Sequence, residues 1–265
     1  MPGDVALAIF GAGGRLGSRI VELARDQSGC TVVHAAEHPR HVQLGKPVPG
    51  LEGRSYISDA TALSGVDVAV DVSLPEAVAD HVRTAVNAKV PLLVATTGLS
   101  PHTMDAIRDA ARSIAVCVAP NLSPGVWVLA SLVKQAAHIL AGYDVEVTET
   151  HHRHKRDAPS GTALLLARHA ALGRGTPLEG VMDVTRTSDP KVRIPGSIGM
   201  ASLRGGDVVG DHTVMLLGDG ERLELTHRAH SRDTFARGAL RLAPLLKGKP
   251  AGQYSVPQLL GLPLD

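Results

Sequence analysis

The sequence predicts an α/β protein with a doubly wound parallel sheet and a second α+β domain that carries a mixed or antiparallel sheet. In the first half of the chain, apolar runs of strand length alternate with segments whose apolar residues recur at helical spacing. A glycine-rich turn joins the first of these runs to the first helical segment. In the second half, consecutive strand-like runs are joined by short glycine turns, which favours a separate sheet with helices on one face.

The elements of the first half follow from these two periodicities. Residues 5–10 form an uninterrupted apolar run that ends in glycines, as a strand buried on both faces does. The other predicted strands are 30–36, 66–72, 91–95 and 114–118. Helical spacing predicts helices at 16–26, 76–88, 103–112 and 124–140. Such strands pair in parallel through right-handed crossovers, and we place a domain boundary near the last of these helices.

In the second half, past Tyr143, the regular alternation of strands and helices ends. A strand at 144–150 and a helix at 162–172 are followed by predicted strands at 181–186, 198–204, 207–217 and 222–230. A last helix is predicted at 233–246, where Ser231 or Asp233 is available as its cap.

Composition limits the possible partners. The chain of 265 residues has a formal net charge of +1 and 44% hydrophobic residues, and its charges are spread along the sequence. We therefore expect a small-molecule partner and neither nucleic acid nor membrane binding. Residues 1–4 lack the features of a signal peptide, and no apolar run reaches membrane-spanning length. Cys30 and Cys117 are expected as buried free thiols, so the predicted compartment is the reducing cytoplasm.

The turn at 11–17 stands where the first strand meets the first helix, which predicts a Rossmann-like dinucleotide site. It fits a GxxGxxG pattern through Gly11, Gly14 and Gly17, whereas the strict pattern would put its third glycine at Leu16. Glu37 ends the second strand, where an acidic residue usually accepts hydrogen bonds from the adenosine ribose, and this favours NADH. His38, Arg40 and Arg15 bring cationic groups that favour NADPH, so use of both cofactors is our hypothesis. The alternatives are an ordinary tight turn and a solvated charge.

Two further loops follow predicted parallel strands. Ala95, Thr96 and Thr97 come after the fourth predicted strand, and residues 119–123 come after the fifth. Ligands of open α/β sheets bind outside the carboxyl ends of the strands, so both loops are placed to contact the nicotinamide half of a cofactor. A helix-entry turn at 96–98 and a helix cap at Asn121 are the simpler alternatives.

The densest polar stretch reads His-His-Arg-His-Lys-Arg-Asp-Ala-Pro-Ser-Gly-Thr from 151 to 162. Its cations, with Gly161 and Thr162 at a helix start, form an anion site suited to a substrate with two carboxylates. A histidine is the usual proton donor near neutral pH, and a lysine crowded by other cations can share that task. A solvated basic loop and a metal site are the alternatives. The stretch has no HExxH motif and no nearby cysteine, which are the features that would favour a metal site. No metal is therefore predicted.

This stretch closely resembles the signature of the 4-hydroxy-tetrahydrodipicolinate reductase family. Further matches are the glycine loop, Glu37, the turn at 96–98, and the stretches 119–126, 206–212 and 231–235. The resemblance implies a general acid/base at His151, a proton-donating Lys155, and substrate carboxylate contacts at His152, Gly161 and Thr162. The cofactor contacts that it implies, together with those argued above, are Gly11, Ala12, Gly13, Gly14, Arg15, Leu16, Glu37, His38, Ala95, Thr96, Thr97, Ala119, Pro120, Asn121 and Leu122.

The resemblance also implies an organisation and a reaction. Residues 1–123 and 233–265 would bind the dinucleotide, and residues 124–232 would bind the substrate and build a homotetramer through their sheet. Loss of the substrate's 4-hydroxyl as water would leave a conjugated ring that takes a hydride at C4 from NADH or NADPH and a proton from His151 or Lys155, on the lysine and diaminopimelate pathway. The chain departs from the family at Ala95, often glycine, at Leu16, often methionine, and at His38, often arginine, which puts binding of a 2′-phosphate in question.

Three other functions compete with this one. A Rossmann-type reductase of a sugar or amino-acid aldehyde would place a catalytic lysine in the first domain, whereas the basic stretch here belongs to the second. A dinucleotide-sensing protein would show no change in absorbance at 340 nm with cofactor and substrate. A metal-dependent hydrolase would be inhibited by chelators.

Overall fold

The computed structural model describes residues 4–26, 29–59, 63–184 and 192–262. The chain forms two compact units. Within the described residues, the first unit comprises 4–122 and 233–261, and the second comprises 123–232 with Leu262. No helix in the described ranges combines the length and the apolarity that crossing a membrane requires.

Most of the strands lie close to the predicted positions. The strands are β1 (Val5–Phe10), β2 (Cys30–Glu37), β3 (Ile57–Ser58), β4 (Val68–Asp71), β5 (Leu92–Val94), β6 (Ala115–Val118), β7 (Asp144–His151), β8 (Met182–Asp183), β9 (Ile198–Arg204), β10 (Gly210–Gly218), β11 (Glu221–Ala229) and β12 (Gly252–Tyr254). The helices are α1 (Arg15–Asp26), α2 (Val78–Ala88), α3 (Pro101–Ala110), α4 (Pro124–Ile139), α5 (Gly161–Gly173), α6 (Asp233–Leu242) and α7 (Val256–Leu260).

The first unit is built on a parallel sheet in the order β12-β6-β5-β4-β1-β2-β3. Strands β4 and β5 are buried along their whole length because helices pack on the sheet, and this explains their continuous apolar sequences. Helices α2 and α3 contribute Val78, Val82 and Ile107 to one core cluster, while α1 packs beside α6. Cys30 and Cys117 are free and buried, as predicted. The doubly wound parallel sheet is confirmed.

The second unit has a mixed sheet in the order β11-β10-β7-β9-β8. Strand β10 pairs antiparallel with β7 and β11, and β9 pairs parallel with β7 and β8. Helices α4 and α5 cover one face, where Leu166 and Val133 meet Val147, Ile198 and Leu216 in one core cluster. The alternating burial of β7 follows because only one face of the sheet is covered. The mixed sheet of the second domain is confirmed as well.

The structure corrects several predicted boundaries. Strands β3 and β12 and helix α7 were not predicted, because segments of two to five residues carry too few positions for a periodicity. The strand predicted from 207 begins at Gly210, because residues 205–209 form the turn that precedes it. The last helix ends at Leu242, and Ala243–Leu246 continues as a 3-10 turn that contains Pro244. Of the strand predicted at 181–186, β8 forms Met182–Asp183, and residues 185–186 lie outside the described residues.

Candidate active site

In the second unit, neighbouring strands bring polar side chains together. Side chains alternate along a strand, so Glu149 and His151 at the end of β7 lie on the same buried face. The parallel pairing of β7 with β9 places Arg204 opposite His151. The antiparallel pairing of β7 with β10 places His212 opposite Glu149. The register of the sheet thus assembles a cluster from residues that are far apart in sequence.

Glu149 is the centre of this cluster and is only 1% exposed. Arg204 binds it through two parallel hydrogen bonds of 2.8 Å, and the backbone N–H of Ser160 donates to its Oε1 at 3.1 Å. Burial by itself raises the pKa of this carboxyl, but hydrogen bonds from Arg204, Ser202 and His151 outweigh burial and lower the pKa to about 2. Glu149 is therefore ionised at neutral pH.

His151 is oriented by Glu149. Its Nδ1 forms a hydrogen bond with Glu149 Oε2, and because an ionised carboxylate only accepts, Nδ1 carries the proton. The other ring nitrogen, Nε2, faces Gly210, where a Cβ atom would lie 3.0 Å from it. Glycine at this position therefore leaves room beside Nε2. A histidine held by a carboxylate in this way can accept or donate a proton through Nε2.

His212 is a second buried imidazole beside His151. The two rings pack edge to face with centroids 5.0 Å apart, and His212 Nε2 lies 3.1 Å from Ser160 Oγ. Burial, and then the charge of His151, lower the pKa of His212 to about 4. His212 therefore stays neutral at physiological pH.

The turn after β7 carries Lys155. Its ammonium donates to both carboxylate oxygens of Asp157, at 2.9 and 2.8 Å. Lys155 therefore has an acidic partner among the cations of this turn. His152 lies in the same turn and is half-buried. Burial, and then the charge of Arg232, lower the pKa of His152, which indicates positive potential around the turn.

Helix α5 begins directly after this turn. Ser160 caps the helix by accepting a hydrogen bond from the Ala163 N–H at 3.2 Å, so Gly161 and Thr162 occupy its first turn. Gly161 is exposed and a Cβ atom there would meet nothing within 4 Å. The bond from Ser160 to Glu149 connects this helix start to His151. The predicted catalytic and substrate residues therefore share one end of the second unit's sheet.

The first unit holds the predicted cofactor residues at the carboxyl ends of its strands. A Cβ atom on Gly17 would lie 2.1 Å from the Gly11 carbonyl oxygen, so α1 starts in direct contact with the turn. Gly11 has a φ of +79°, and a Cβ atom there would lie 2.8 Å from Ser73 Cα. Gly14 and Arg15 are exposed at the start of α1. This tight turn, opening onto an exposed helix N-terminus, fits the pyrophosphate of a dinucleotide.

Glu37 is the last residue of β2, as predicted, and the structure places it against the glycine turn. Its Oε1 accepts a hydrogen bond of 2.6 Å from the Gly13 N–H, and its Oε2 lies 3.9 Å from His41 Nδ1. The next residue, His38, is exposed. A carboxylate anchored through one oxygen can offer the other to a ribose hydroxyl.

The loops after β5 and β6 are neighbours in the sheet. Thr96 is buried, and its hydroxyl donates to Asp71 Oδ1 at 2.8 Å, whereas the next residue, Thr97, is exposed. After β6, Ala119 is buried, Pro120 is exposed and Leu122 is buried. A Cβ atom on Gly238 would lie 1.9 Å from the Leu122 carbonyl oxygen, so α6 packs directly on this loop.

Sequence reasoning missed Glu149, Arg204, His212 and Asp71. A signal existed for Glu149, because it lies two residues before His151 in a predicted strand and therefore on the same face. Arg204 and His212 come from other strands, and their register cannot be read from one sequence. Within the described ranges, no group of three or more His, Cys, Asp or Glu side chains is placed to hold a metal ion.

The chain is similar to known proteins over nearly its full length. Residues 5–122 match the family model described as dihydrodipicolinate reductase, N-terminus, and residues 125–260 match dihydrodipicolinate reductase, C-terminus. The 4-hydroxy-tetrahydrodipicolinate reductase of Anaeromyxobacter dehalogenans (strain 2CP-1) is 44% identical, covering 97% of both chains. That of Zymomonas mobilis is 44% identical, covering 98% of both. Among solved structures, dipicolinate-bound dihydrodipicolinate reductase from Paenisporosarcina sp. TG-14 shares the fold, with a TM-score of 0.74 and 20% identity over 96% of this chain and 98% of that one.

Proposed function

This chain belongs to the dihydrodipicolinate reductase family, and we propose that it reduces 4-hydroxy-tetrahydrodipicolinate to tetrahydrodipicolinate and water. The reaction adds one hydride and one proton to the substrate and releases its 4-hydroxyl as water. It is a step of lysine and diaminopimelate biosynthesis. NADH or NADPH supplies the hydride when it is bound.

The observation that carries the proposal is the hydrogen bond between Glu149 and His151. It fixes the proton on Nδ1 and leaves Nε2 to exchange a proton with the substrate. Lys155 is the second proton donor, and Asp157 holds its ammonium through two hydrogen bonds. Protonation of the ring as it gains a hydride prevents the build-up of negative charge.

The substrate's two carboxylates are held by the cationic turn and the start of α5. His152 lies in the turn, and the first turn of α5 presents Gly161 and Thr162, where backbone N–H groups and the helix dipole favour an anion. Arg232 adds positive charge near His152. In this proposal the second unit is the substrate-binding domain, and its main contribution is to orient the ring for reaction.

The first unit is the dinucleotide-binding domain in the same proposal. The turn from Gly11 to Leu16 holds the pyrophosphate, and Glu37 with His38 contacts the adenosine ribose. The remaining contacts lie in the two loops described above, at Ala95, Thr96, Thr97, Ala119, Pro120, Asn121 and Leu122. Glu37 favours NADH, whereas His38 and Arg15 offer charge to a 2′-phosphate, so we propose that both cofactors are used.

Two further proposals concern the protein's surroundings. We place the enzyme in the cytoplasm, because Cys30 and Cys117 are free buried thiols, as is usual in a reducing compartment. We also propose a homotetramer that assembles through the open face of the second unit's sheet, the face that α4 and α5 leave uncovered.

Replacement of the proton donors tests the proposed function. Oxidation of NADH and of NADPH is followed at 340 nm while a coupled reaction generates the unstable substrate in place. His151→Ala and Lys155→Ala should each lower turnover by about a hundredfold or more, the usual scale of general acid catalysis. His138→Ala, which removes an exposed histidine from α4, is the matched control and should keep wild-type turnover. Wild-type turnover in both site variants would contradict the assignment.

A further inference from the structure

The first unit contains a buried ionic network that the proposed chemistry does not use. The His81 ring on α2 lies between two carboxylates, with Nδ1 2.7 Å from Asp71 Oδ2 and Nε2 3.1 Å from Asp59 Oδ2. Asp71 is 0% exposed and His81 is 3% exposed. A charged cluster this deeply buried is costly unless every member is paired, so its position calls for an explanation.

Asp71 ties together the loops at the carboxyl edge of the sheet. It is the last residue of β4 and accepts hydrogen bonds from the Ser73 N–H at 3.0 Å and the Ser73 hydroxyl at 2.7 Å. It also accepts a bond of 2.8 Å from Thr96, in the loop after β5. His81 extends the network to Asp59, which follows β3. One carboxylate and one imidazole therefore connect three successive loops of the proposed dinucleotide edge.

The network also supports the glycine turn. Phe10, the last residue of β1, stacks on His81 with ring centroids 4.2 Å apart and an interplanar angle of 4°. Gly11 follows directly and packs against the backbone of Ser73. Asp59 and His81 also line a cavity of about 720 Å³ together with His38. The network thus contacts the residue before the glycine turn and lines a cavity shared with a proposed cofactor residue.

The charges favour a bridging imidazolium. Burial lowers the pKa of His81, but the hydrogen bonds and charges of Asp71 and Asp59 outweigh it and raise the pKa above its ordinary value. For Asp71, burial raises the pKa, but the bonds from His81 and Ser73 outweigh it and lower the pKa. A protonated ring donates from both nitrogens, so it can bind both carboxylates at once.

We infer that Asp71 and His81 are positioning residues for dinucleotide binding, which hold the loops after β3, β4 and β5 in the conformation that accepts the cofactor. They act through Ser73, Thr96 and the glycine turn. Their effect is therefore on the affinity for the dinucleotide and not on proton or hydride transfer. This inference rests on the proposed use of NADH or NADPH.

Three substitutions of His81 separate its two bonds. His81→Asn places an amide donor near the position of Nδ1, toward Asp71, and His81→Gln places one near Nε2, toward Asp59, while His81→Ala removes both. The dissociation constant for NADH is measured by fluorescence titration, and kcat and KM are measured with saturating substrate. His81→Ala should raise the dissociation constant and the KM for NADH about tenfold, because both of its bonds to the loops are lost. Its kcat at saturating NADH should stay within about threefold of wild type.

The conservative substitutions distinguish a role in positioning the loops from a purely structural role. His81→Asn should restore most of the affinity, and His81→Gln should restore less, because Asp71 connects more of the loops than Asp59. Ser73→Ala removes one donor to Asp71 while leaving the backbone N–H, and it should raise the dissociation constant about threefold even if His81→Ala does not fold.

The outcomes separate this inference from the proposed function. Wild-type protein that binds neither NADH nor NADPH would overturn both. Wild-type protein that binds NADH, with unchanged affinity in Ser73→Ala and in the His81 variants, would overturn the inference alone. A fall in kcat with unchanged affinity for NADH would also overturn it, because the network would then act on the chemistry.

Discussion

At the scale of single residues, Glu149 fixes the tautomer and the orientation of His151. Its carboxylate accepts bonds from His151, Arg204 and the Ser160 N–H, so it fixes the imidazole and the start of α5 with one buried charge. The folded pKa of Glu149 is about 2, against an ordinary value of 4.5. Its contribution to stability is therefore fully present above pH 4.5 and is lost as the pH falls through about 2.

Glu149→Gln tests whether the negative charge of Glu149, and not only the size of its side chain, is needed to orient His151. Glutamine keeps the size of the side chain, but its amide cannot accept all the bonds that the carboxylate accepts, so Arg204 is left partly unpaired. We expect turnover to fall about tenfold or more, because His151 loses its fixed tautomer. We also expect a loss of about 3–5 kcal/mol in the free energy of unfolding, the usual effect of breaking a buried ion pair.

Measurements of kcat against pH and of urea unfolding between pH 2 and pH 7 test this prediction. In the wild type, the stability contributed by Glu149 disappears between about pH 4.5 and pH 2. Glu179→Gln, which changes an exposed carboxylate of the same unit, is the control and should leave both quantities unchanged. Equal turnover in wild type and Glu149→Gln would show that the carboxylate does not orient His151.

The site residues that could be predicted from the sequence lie close together in the chain, whereas those that could not be predicted come from separate elements. His151 and Lys155 lie in one polar run, so a local pattern was sufficient to single them out. Arg204 bonds to Glu149 across 55 positions of sequence, and His81 bonds to Asp71 from near the start of helix α2. Such partners depend on strand register and helix docking, which are set by the packing of the whole unit.

At the scale of elements, the glycine turn shows how closely a helix can approach a strand. The third glycine of the GxxGxxG pattern stands at position 17, and its missing Cβ is what lets α1 contact the carbonyl of Gly11. Gly17→Ala should force α1 away from the turn, because the clashing atoms belong to the backbone. We expect weaker NADH binding, by about tenfold or more, and a lower melting temperature.

Gly252→Ala is the control for this prediction. A Cβ atom at position 252 would lie 3.4 Å from its nearest neighbour, an ordinary contact distance, on a strand of the same sheet. Titration with NADH and thermal unfolding of both variants provide the measurement. Equal affinity in Gly17→Ala and wild type would mean that the turn does not hold the cofactor.

The sequence predicted long elements well and short ones poorly. The apolar run of β1 and the helical period of α4 are long enough to be recognised, and both predictions agree with the structure to within a residue. Strand β3 has two residues and β12 has three, so their strand conformation is imposed by the neighbouring strands with which they pair. Tertiary pairing, not local sequence, creates such strands.

At the scale of the whole molecule, helices α4 and α5 cover one face of the second unit's sheet and leave the other face open among the described residues. Thr148, Thr213 and Thr226 lie in one row across three paired strands, and Ala201 continues the row on β9. Small side chains make this face flat enough for the sheet of another copy to pack on it. Leu203, which is 56% exposed, adds apolar surface on the same side. These features support the proposed assembly.

A charge placed in this row should therefore dissociate the tetramer. Thr213→Arg puts a guanidinium into the middle of the face, where a second sheet would have to bury it without a partner. The mass measured by light scattering after gel filtration should be that of a tetramer for wild type and a smaller species for the variant. Ile139→Arg places the same charge on α4, at a side chain that is 77% exposed on the helix-covered side, and should leave the mass unchanged. A monomeric wild type, or a tetrameric Thr213→Arg, would contradict assembly through this face, because a buried, unpaired charge costs more free energy than a small interface returns.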